Sequence, residues 1–176
     1  MHSRLAEISQ FLDACRADVY AAIANASDER MEQTPADGGW SAAQVVEHLA
    51  LVESKTSQYL VACLDKAIAA GLPHEQDETS VLGTIDRAII ASGRRTAPEI
   101  VTPPAVVSAA AAVTSLHASH AALHATLRSA DGWALADVPT RHPLLGRMNM
   151  YQSLLVLGYH DRRHEGQITR ALATAK

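Results

Sequence analysis

The positions of glycine and proline constrain the fold of this chain more than any other feature of its sequence. Four long stretches are almost free of both residues: 1–34, 40–70, 105–131 and 147–176. Within them only Gly158 and Gly166 occur. Glycine and proline interrupt helices, and they collect in the three segments between these stretches: 35–39, 71–104 and 132–146. Each stretch can form a helix of about 35–45 Å at 1.5 Å per residue, so the sequence predicts four long helices.

Apolar side chains recur along all four stretches at three- and four-residue steps, the spacing of one helix face. In the first stretch these are Leu5, Ile8, Leu12, Cys15, Val19 and Ile23. In the others they are Val45, Leu49, Val52, Tyr59 and Cys63; Val113, Leu116, Leu123 and Leu127; and Leu154, Leu157, Ile168 and Leu172. No stretch alternates convincingly with a period of two, so we predict no sheet. The pattern indicates an all-α protein, a four-helix bundle with buried apolar faces.

The lengths of the connections restrict how the helices can be arranged. The links at about 34–40 and 131–147 are short, so each can join antiparallel neighbours. The connection at 71–104 is longer, and its apolar spacing predicts a short helix from Thr79 to Ser92. A connection of this length between helices two and three permits an up-down-down-up bundle, in which helices two and four are antiparallel. An all-antiparallel bundle is the alternative, and the length suits one domain, residues 1–176.

Charge and composition exclude several classes of protein. The formal net charge is −4, with 15 lysines and arginines against 19 acidic residues and no basic cluster, so we expect no nucleic-acid partner and no membrane partner. Charged residues interrupt the N-terminal segment where a signal peptide would be apolar. Two cysteines, Cys15 and Cys63, fall within helical patterns and are interpreted as buried thiols of a cytoplasmic protein.

The chain has nine histidines, and two of them lie at a spacing typical of metal ligands. His160 and His164 are four residues apart, which places both imidazoles on one helix face. Leu157 and Ile168 continue that face, so these rings should point inward. Such a pair alone is weak, because two partly buried histidines bonded to their neighbours fit it equally well.

His48 strengthens the metal interpretation. It follows Val45 by three residues and precedes Val52 by four, so it lies on the apolar face of helix two. If helices two and four are antiparallel, His48 reaches the level of His160 and His164. Three neutral imidazoles with an open coordination position can activate water on zinc or a similar divalent ion.

These residues carry a resemblance to a known family. Trp40-Ser41 followed by His48-Leu49 resembles the N-terminal signature of DinB-like proteins. The C-terminal signature is also present, as His142-Pro143, Gly146, His160 and His164 separated by three residues, and Gln167-Ile168. The resemblance spans essentially the whole chain. It implies an up-down-down-up four-helix bundle, commonly a homodimer, with a divalent metal held by His48, His160 and His164.

The remaining histidines are assigned more modest roles. His117, His120 and His124 follow one another at steps of three and four, and the favoured interpretation is packing and surface positions. His120 could instead face inward and support the metal ligands, and a second metal on these three histidines is a lesser alternative. Glu165, beside His164, is the other candidate for such support. His142 should shape the start of helix four, and His2 and His74 receive no role.

Two functional hypotheses follow. The first is a metal-dependent enzyme of the thiol S-transferase or hydrolase type that acts on a small molecule. The resemblance implies thiol chemistry, in which some relatives transfer a low-molecular-weight thiol (bacillithiol, mycothiol or glutathione) and some isomerise small acids with one. We expect zinc or nickel as the metal, although imidazoles also suit copper and iron(II). A substrate carboxylate could contact Arg141, Arg162 or Arg163, and the sequence identifies no catalytic side chain. The second hypothesis is a non-catalytic, stress-associated dimeric bundle with structural histidines.

Overall fold

The helices dominate the structure, a computed structural model that describes residues 1–36, 38–86 and 96–175. Four long helices and one short helix are present in these ranges: α1 (Ser3–Ile23), α2 (Asp28–Glu32), α3 (Ala42–Ala69), α4 (Ala109–Ser129) and α5 (Met150–Thr174). Single 3₁₀ turns lie at Glu99–Val101 and Leu135–Asp137. The predicted predominance of helix is therefore confirmed.

Side-chain caps fix where two of the long helices begin. The Ser41 hydroxyl accepts the Gln44 N–H at 3.2 Å, and the Gln44 side chain accepts the Ser41 N–H at 3.0 Å. This reciprocal pair is the capping box expected from the sequence. Asn149 and Gln152 form an equivalent pair at the start of α5, with hydrogen bonds of 2.9 and 3.0 Å. Both helices that carry candidate metal ligands thus have a fixed N-terminal end.

The long helices pack through two hydrophobic clusters. Helix α1 packs mainly against α5, α3 packs against α4, and α3 and α5 also contact each other. One cluster includes Leu5, Ile8, Leu12, Leu60, Leu64, Leu123, Leu127 and Leu154. The other includes Val19, Ile23, Val45, Leu49, Ala112, Leu116 and Ile168. Most of the apolar positions predicted from the sequence are therefore buried, with Tyr59 an exception at 43% exposed.

A layer of buried polar side chains separates these two clusters. One member lies on each long helix, between the residues of the two clusters: Arg16, Glu53, Ser119 and Asp161. We call this set the central polar layer. Burying charged groups is costly unless they are paired, so these residues must satisfy one another.

Three expectations about local structure were wrong in part. The prediction of no sheet fails at residues 139–149, where β1 (Pro139–His142) and β2 (Gly146–Asn149) form an antiparallel hairpin. These four-residue strands alternate no apolar side chains, so their sequence carries little strand signal. The first predicted helix ends at Ile23 and is followed by the separate α2. In the expected helix at Thr79–Ser92, residues 79–86 form turns, and residues 87–92 lie outside the described part of the chain.

The segment after α3 is anchored by a buried ion pair between Arg4 and Glu75. Arg4 donates to Glu75 at 3.0 Å, and the Tyr151 hydroxyl donates to the same Glu75 oxygen at 2.9 Å. The other Glu75 oxygen accepts the N–H groups of Gln76 and Asp77. This network attaches the loop to both α1 and α5.

Both cysteines were expected to be buried, and the structure confirms this for one of them. Cys15 is buried and Cys63 partly buried, both as free thiols, and burial raises the pKa of Cys15 to about 11. Among the described residues, none of the helices combines the length and hydropathy that crossing a bilayer requires. The assignment of residues 1–176 to one domain stays a prediction.

Candidate metal centre

Three histidines from two helices converge on one point. His48 lies in the second turn of α3, and His160 and His164 lie one turn apart on α5. The ring centroid of His48 is 5.2 Å from that of His160 and 4.9 Å from that of His164, and the two α5 rings are 4.4 Å apart. One nitrogen from each ring lies within 4.8 Å of the others. We call these three residues the triad.

Hydrogen bonds orient two of the triad rings. The Nδ1 atom of His48 lies 2.7 Å from the carbonyl oxygen of Val101, and Nδ1 of His164 lies 2.8 Å from Oε1 of Gln167. Both partners are acceptors, so the proton of each neutral ring is assigned to Nδ1. The Nε2 lone pairs of His48 and His164 are therefore available to an ion. A bonded Nδ1 is the usual companion of a metal-binding Nε2.

Burial keeps the triad neutral. It lowers the pKa of His48 and lowers that of His164 to about 4, which the nearby His48 ring reinforces. Burial also holds the pKa of His160 well below its usual value, and His164, His48 and Arg163 add to the effect. No proton then has to leave before an ion binds at neutral pH. The donor chemistry of the triad therefore fits a divalent transition metal.

The triad is enclosed by residues from several segments. The ring centroids of Trp40 and His48 are 5.0 Å apart. The 3₁₀ turn at Glu99–Val101 supplies the carbonyl that holds His48. His142, at the end of β1, acts electrostatically on His160, while its Nδ1 accepts the N–H groups of Leu144 and Leu145 at 3.2 Å. His142 thus shapes the hairpin turn before α5, as expected.

A comparison with family sequence profiles decides the family. The profile of the DinB superfamily matches residues 12–168, which include all three triad histidines and both sequence signatures. The chain belongs to the DinB superfamily. The resemblance noted in the sequence is therefore confirmed. No curated protein and no solved structure gave a significant match.

In this DinB superfamily member the triad lies beside the central polar layer. Arg16 donates to both oxygens of Asp161, at 2.9 and 3.3 Å, and to Glu53 at 2.9 Å. Ser119 donates to the other Glu53 oxygen. Burial alone would lower the pKa of Arg16, but Asp161 and Glu53 raise it, so the guanidinium stays charged. Asp161 follows His160 directly, so this network fixes α5 next to the triad.

His120 and Glu165, the two residues expected to support the triad, make their described contacts elsewhere. His120 lies 3.2 Å from Glu53 and 3.1 Å from Asp13. Burial alone would lower the pKa of His120, but its bond to Glu53 and the Glu53 charge raise it. Glu165 accepts a hydrogen bond from Thr169 at 3.1 Å. A supporting role for either residue at the triad stays a prediction.

Sequence analysis overlooked the roles of Asp13 and Arg16, and it interpreted Glu53, which follows His48 by five residues, as facing solvent or orienting an imidazole. Asp13 lies 2.8 Å from His124 and 3.1 Å from His120, across the interface between α1 and α4. His117, grouped with these histidines in the sequence, instead stacks on Tyr20 with ring centroids 4.7 Å apart. The one available signal was Arg16 itself, a charged residue next to Cys15 on the apolar face of helix one.

Proposed function

We propose that the chain is a divalent-metal-dependent enzyme acting on a small molecule, of the thiol S-transferase or hydrolase type. One observation carries the proposal: three neutral imidazoles converge within 4.8 Å in a member of the DinB superfamily. Zinc or nickel is the metal we propose. Such an ion, when bound, lowers the pKa of a thiol or water that it contacts.

The chain's own residues would hold and orient the reactants. His48, His160 and His164 hold the ion, and the Val101 carbonyl and Gln167 keep two of these rings in position. Arg163 is a positive side chain whose charge lowers the pKa of both His160 and His164, so we propose it to bind a substrate carboxylate. In thiol transfer, a bond forms between sulfur and an electrophilic carbon. The leaving group departs with its electron pair, and the thiol proton passes to solvent.

We also propose the up-down-down-up arrangement of the four long helices. Contacts between α1 and α5 advance together along both helices: Arg4 with Tyr151, Phe11 with Tyr159, and Arg16 with Asp161. The contacts of α3 with α4 and the residues just before it also advance together, from Gln44 near Ala105 to Glu53 near Ser119. Between α1 and α4 the order reverses, with Asp13 near His124 and Tyr20 near His117. These pairs support α1 and α5 in one direction and α3 and α4 in the other.

The alternative function is a non-catalytic dimeric bundle with structural histidines. The bond of His48 to the Val101 carbonyl favours it, because a histidine that ties the 3₁₀ turn at Glu99–Val101 to α3 has a structural role without an ion. The homodimer implied by the family resemblance also stays a prediction. Light scattering on the purified protein measures its mass in solution and therefore tests whether it is a dimer.

Metal analysis of tag-free protein tests the proposed function. We expect bound zinc or nickel, and His48→Ala should weaken the binding of one equivalent at least tenfold. His74→Ala, which removes an exposed histidine stacked on Trp133, should leave the metal content unchanged. The loaded protein is then screened for turnover of small electrophiles with bacillithiol, mycothiol or glutathione, and of ester and amide substrates.

The outcomes separate the two functions. Metal binding with turnover that His48→Ala abolishes supports the enzyme. A metal content that His48→Ala does not lower contradicts the triad as the site. A triad-bound metal without turnover, together with reduced stability of His48→Ala, favours the structural bundle.

A further inference from the structure

A second group of potential ligands lies at the interface between α1 and α4. It consists of Asp13 on α1 and of His120 and His124 one turn apart on α4. We call it the α1–α4 cluster. It shares no residue with the triad, and its two helices supply none of the triad ligands.

The distances within the α1–α4 cluster match those between ligands of one ion. Oδ1 of Asp13 lies 3.1 Å from Nε2 of His120 and 2.8 Å from Nε2 of His124, and the two Nε2 atoms are 3.3 Å apart. Ligands about 2.0–2.1 Å from a metal lie about 2.9 Å apart in octahedral geometry and about 3.4 Å apart in tetrahedral geometry. All three separations are therefore close to this range.

Glu53 contacts the nitrogen of His120 that faces away from Asp13. Nδ1 of His120 lies 3.2 Å from Oε1 of Glu53 and Nε2 lies 3.1 Å from Oδ1 of Asp13, so both ring nitrogens face acceptors. A neutral ring carries only one proton, so when that proton lies on Nδ1, an ion between Nε2 and the Asp13 carboxylate would satisfy the second contact. The Glu53 carboxylate is itself held by Arg16 and Ser119. A carboxylate that orients a histidine in this way is characteristic of metal sites.

The cluster is also accessible. The side chain of Asp13 is 51% exposed, that of His124 26% and that of His120 17%. An ion could therefore enter from solvent, and water could occupy the coordination positions that the three side chains leave open. Two imidazoles and one carboxylate with open positions suit divalent first-row metals such as iron(II), cobalt(II) and zinc.

We propose that Asp13, His120 and His124 form a second divalent-metal site, with Glu53 as the residue that positions His120. The competing explanation is a proton on His120 in place of the ion, which would make the cluster a set of hydrogen bonds. The proposal does not depend on the proposed function of the triad.

Titration of the chelated, tag-free protein with Zn²⁺ or Co²⁺ alone tests the site by calorimetry. We expect two equivalents to bind. His124→Gln and Asp13→Asn should each weaken the binding of one equivalent at least tenfold and keep the other. His117→Gln is the matched control, because His117 lies one turn from His120 on the same helix and stacks on Tyr20 instead. It should keep both equivalents.

Variants of the triad separate this proposal from the proposed function. His48→Ala should remove one equivalent and leave the one that His124→Gln removes. Binding of a single equivalent that His48→Ala abolishes and both cluster variants retain would overturn the second site.

A second measurement uses only the unaltered protein, so it tests the site even if the variants fold poorly. Zn²⁺ added to the unaltered protein should shift the imidazole ¹⁵N resonances of His120 and His124 as the cluster fills. Resonances of these two rings that stay in place at saturating Zn²⁺ would contradict the proposal.

Discussion

Gly158 and Gly166 lie on the same helix, α5, in opposite surroundings. A Cβ atom at Gly158 would collide with the ring of Phe11, whereas a Cβ atom at Gly166 has no neighbour within 4 Å. Gly166→Ala should raise the free energy of unfolding by about 0.5–1 kcal/mol, because alanine favours helix. Gly158→Ala should lower it by about 1–3 kcal/mol, because the ring must move. Urea denaturation measures both.

Phe11 provides the control for this pair. Its ring packs edge-on against Tyr159, with centroids 5.1 Å apart. In a Phe11→Leu background, the penalty of Gly158→Ala should shrink while the gain from Gly166→Ala persists. Equal stabilisation by the two alanines in the unaltered background would contradict the role assigned to Phe11.

Arg16 is the cation that holds the central polar layer together. Arg16→Met leaves Glu53 and Asp161 buried without their partner, so we expect a loss of about 3–5 kcal/mol in the free energy of unfolding at pH 7.5. Arg128→Met, at an exposed position on α4, should change it by less than about 0.5 kcal/mol. The loss should be smaller at pH 5, because burial raises the pKa of Asp161 to about 6. A loss that does not vary with pH would show that packing alone accounts for it.

At the scale of single residues, the sequence predicted which side chains share one helix face. It did not predict which side chains come into contact across the interface between two helices. His160 and His164 are neighbours through helix geometry, so their convergence follows from a spacing of four. Asp13 meets His124 only because α1 and α4 are adjacent, which no local pattern records. The metal-binding role of the triad stays a prediction until an ion is measured.

At the scale of elements, the absence of glycine and proline located the long helices well. The sequence did not predict the hairpin at residues 139–149, because its two strands carry no alternation of apolar and polar residues. Four cross-strand residue pairs form the hairpin. The first residue of β2, Gly146, has a φ of +79°, which is readily adopted only by glycine. Short elements of this kind depend on tertiary contacts, and Thr140, for example, bonds to Ser153 of α5 at 2.7 Å.

The cap of α3 is an element whose removal should be measurable. Ser41→Ala deletes the hydroxyl that accepts the Gln44 N–H, so the free energy of unfolding should fall by about 1 kcal/mol. Ser54→Ala, in the middle of the same helix, should be neutral or stabilising, since alanine is the better helix former there. Thermal or urea unfolding compares the two. Similar losses for both variants would argue that the cap contributes little.

At the scale of the whole molecule, buried histidines make stability depend on pH. Burial lowers the pKa of all three triad residues, that of His164 to about 4. The unfolded chain therefore binds more protons than the folded chain as the pH falls from about 6.5 towards 4, and stability falls with it. His164 alone contributes on the order of 2–3 kcal/mol to this loss.

The measurement is the free energy of unfolding of metal-free protein between pH 7 and pH 4.5. His164→Gln should flatten the curve, while His74→Gln, which leaves the triad intact, should follow the unaltered protein. Parallel curves for all three proteins would show that the triad does not govern the acid sensitivity.

The bond between His48 and Val101 has a consequence for sequence variation. The acceptor is a main-chain carbonyl, which every amino acid would supply at position 101. Side chains in the 3₁₀ turn at Glu99–Val101 can therefore change without removing the acceptor, provided that the backbone keeps its place. Relatives of this chain can therefore differ in the amino acids of this turn and still keep the proton of the His48 ring on Nδ1. A deletion that shifts the turn by one residue would instead move the carbonyl away from His48.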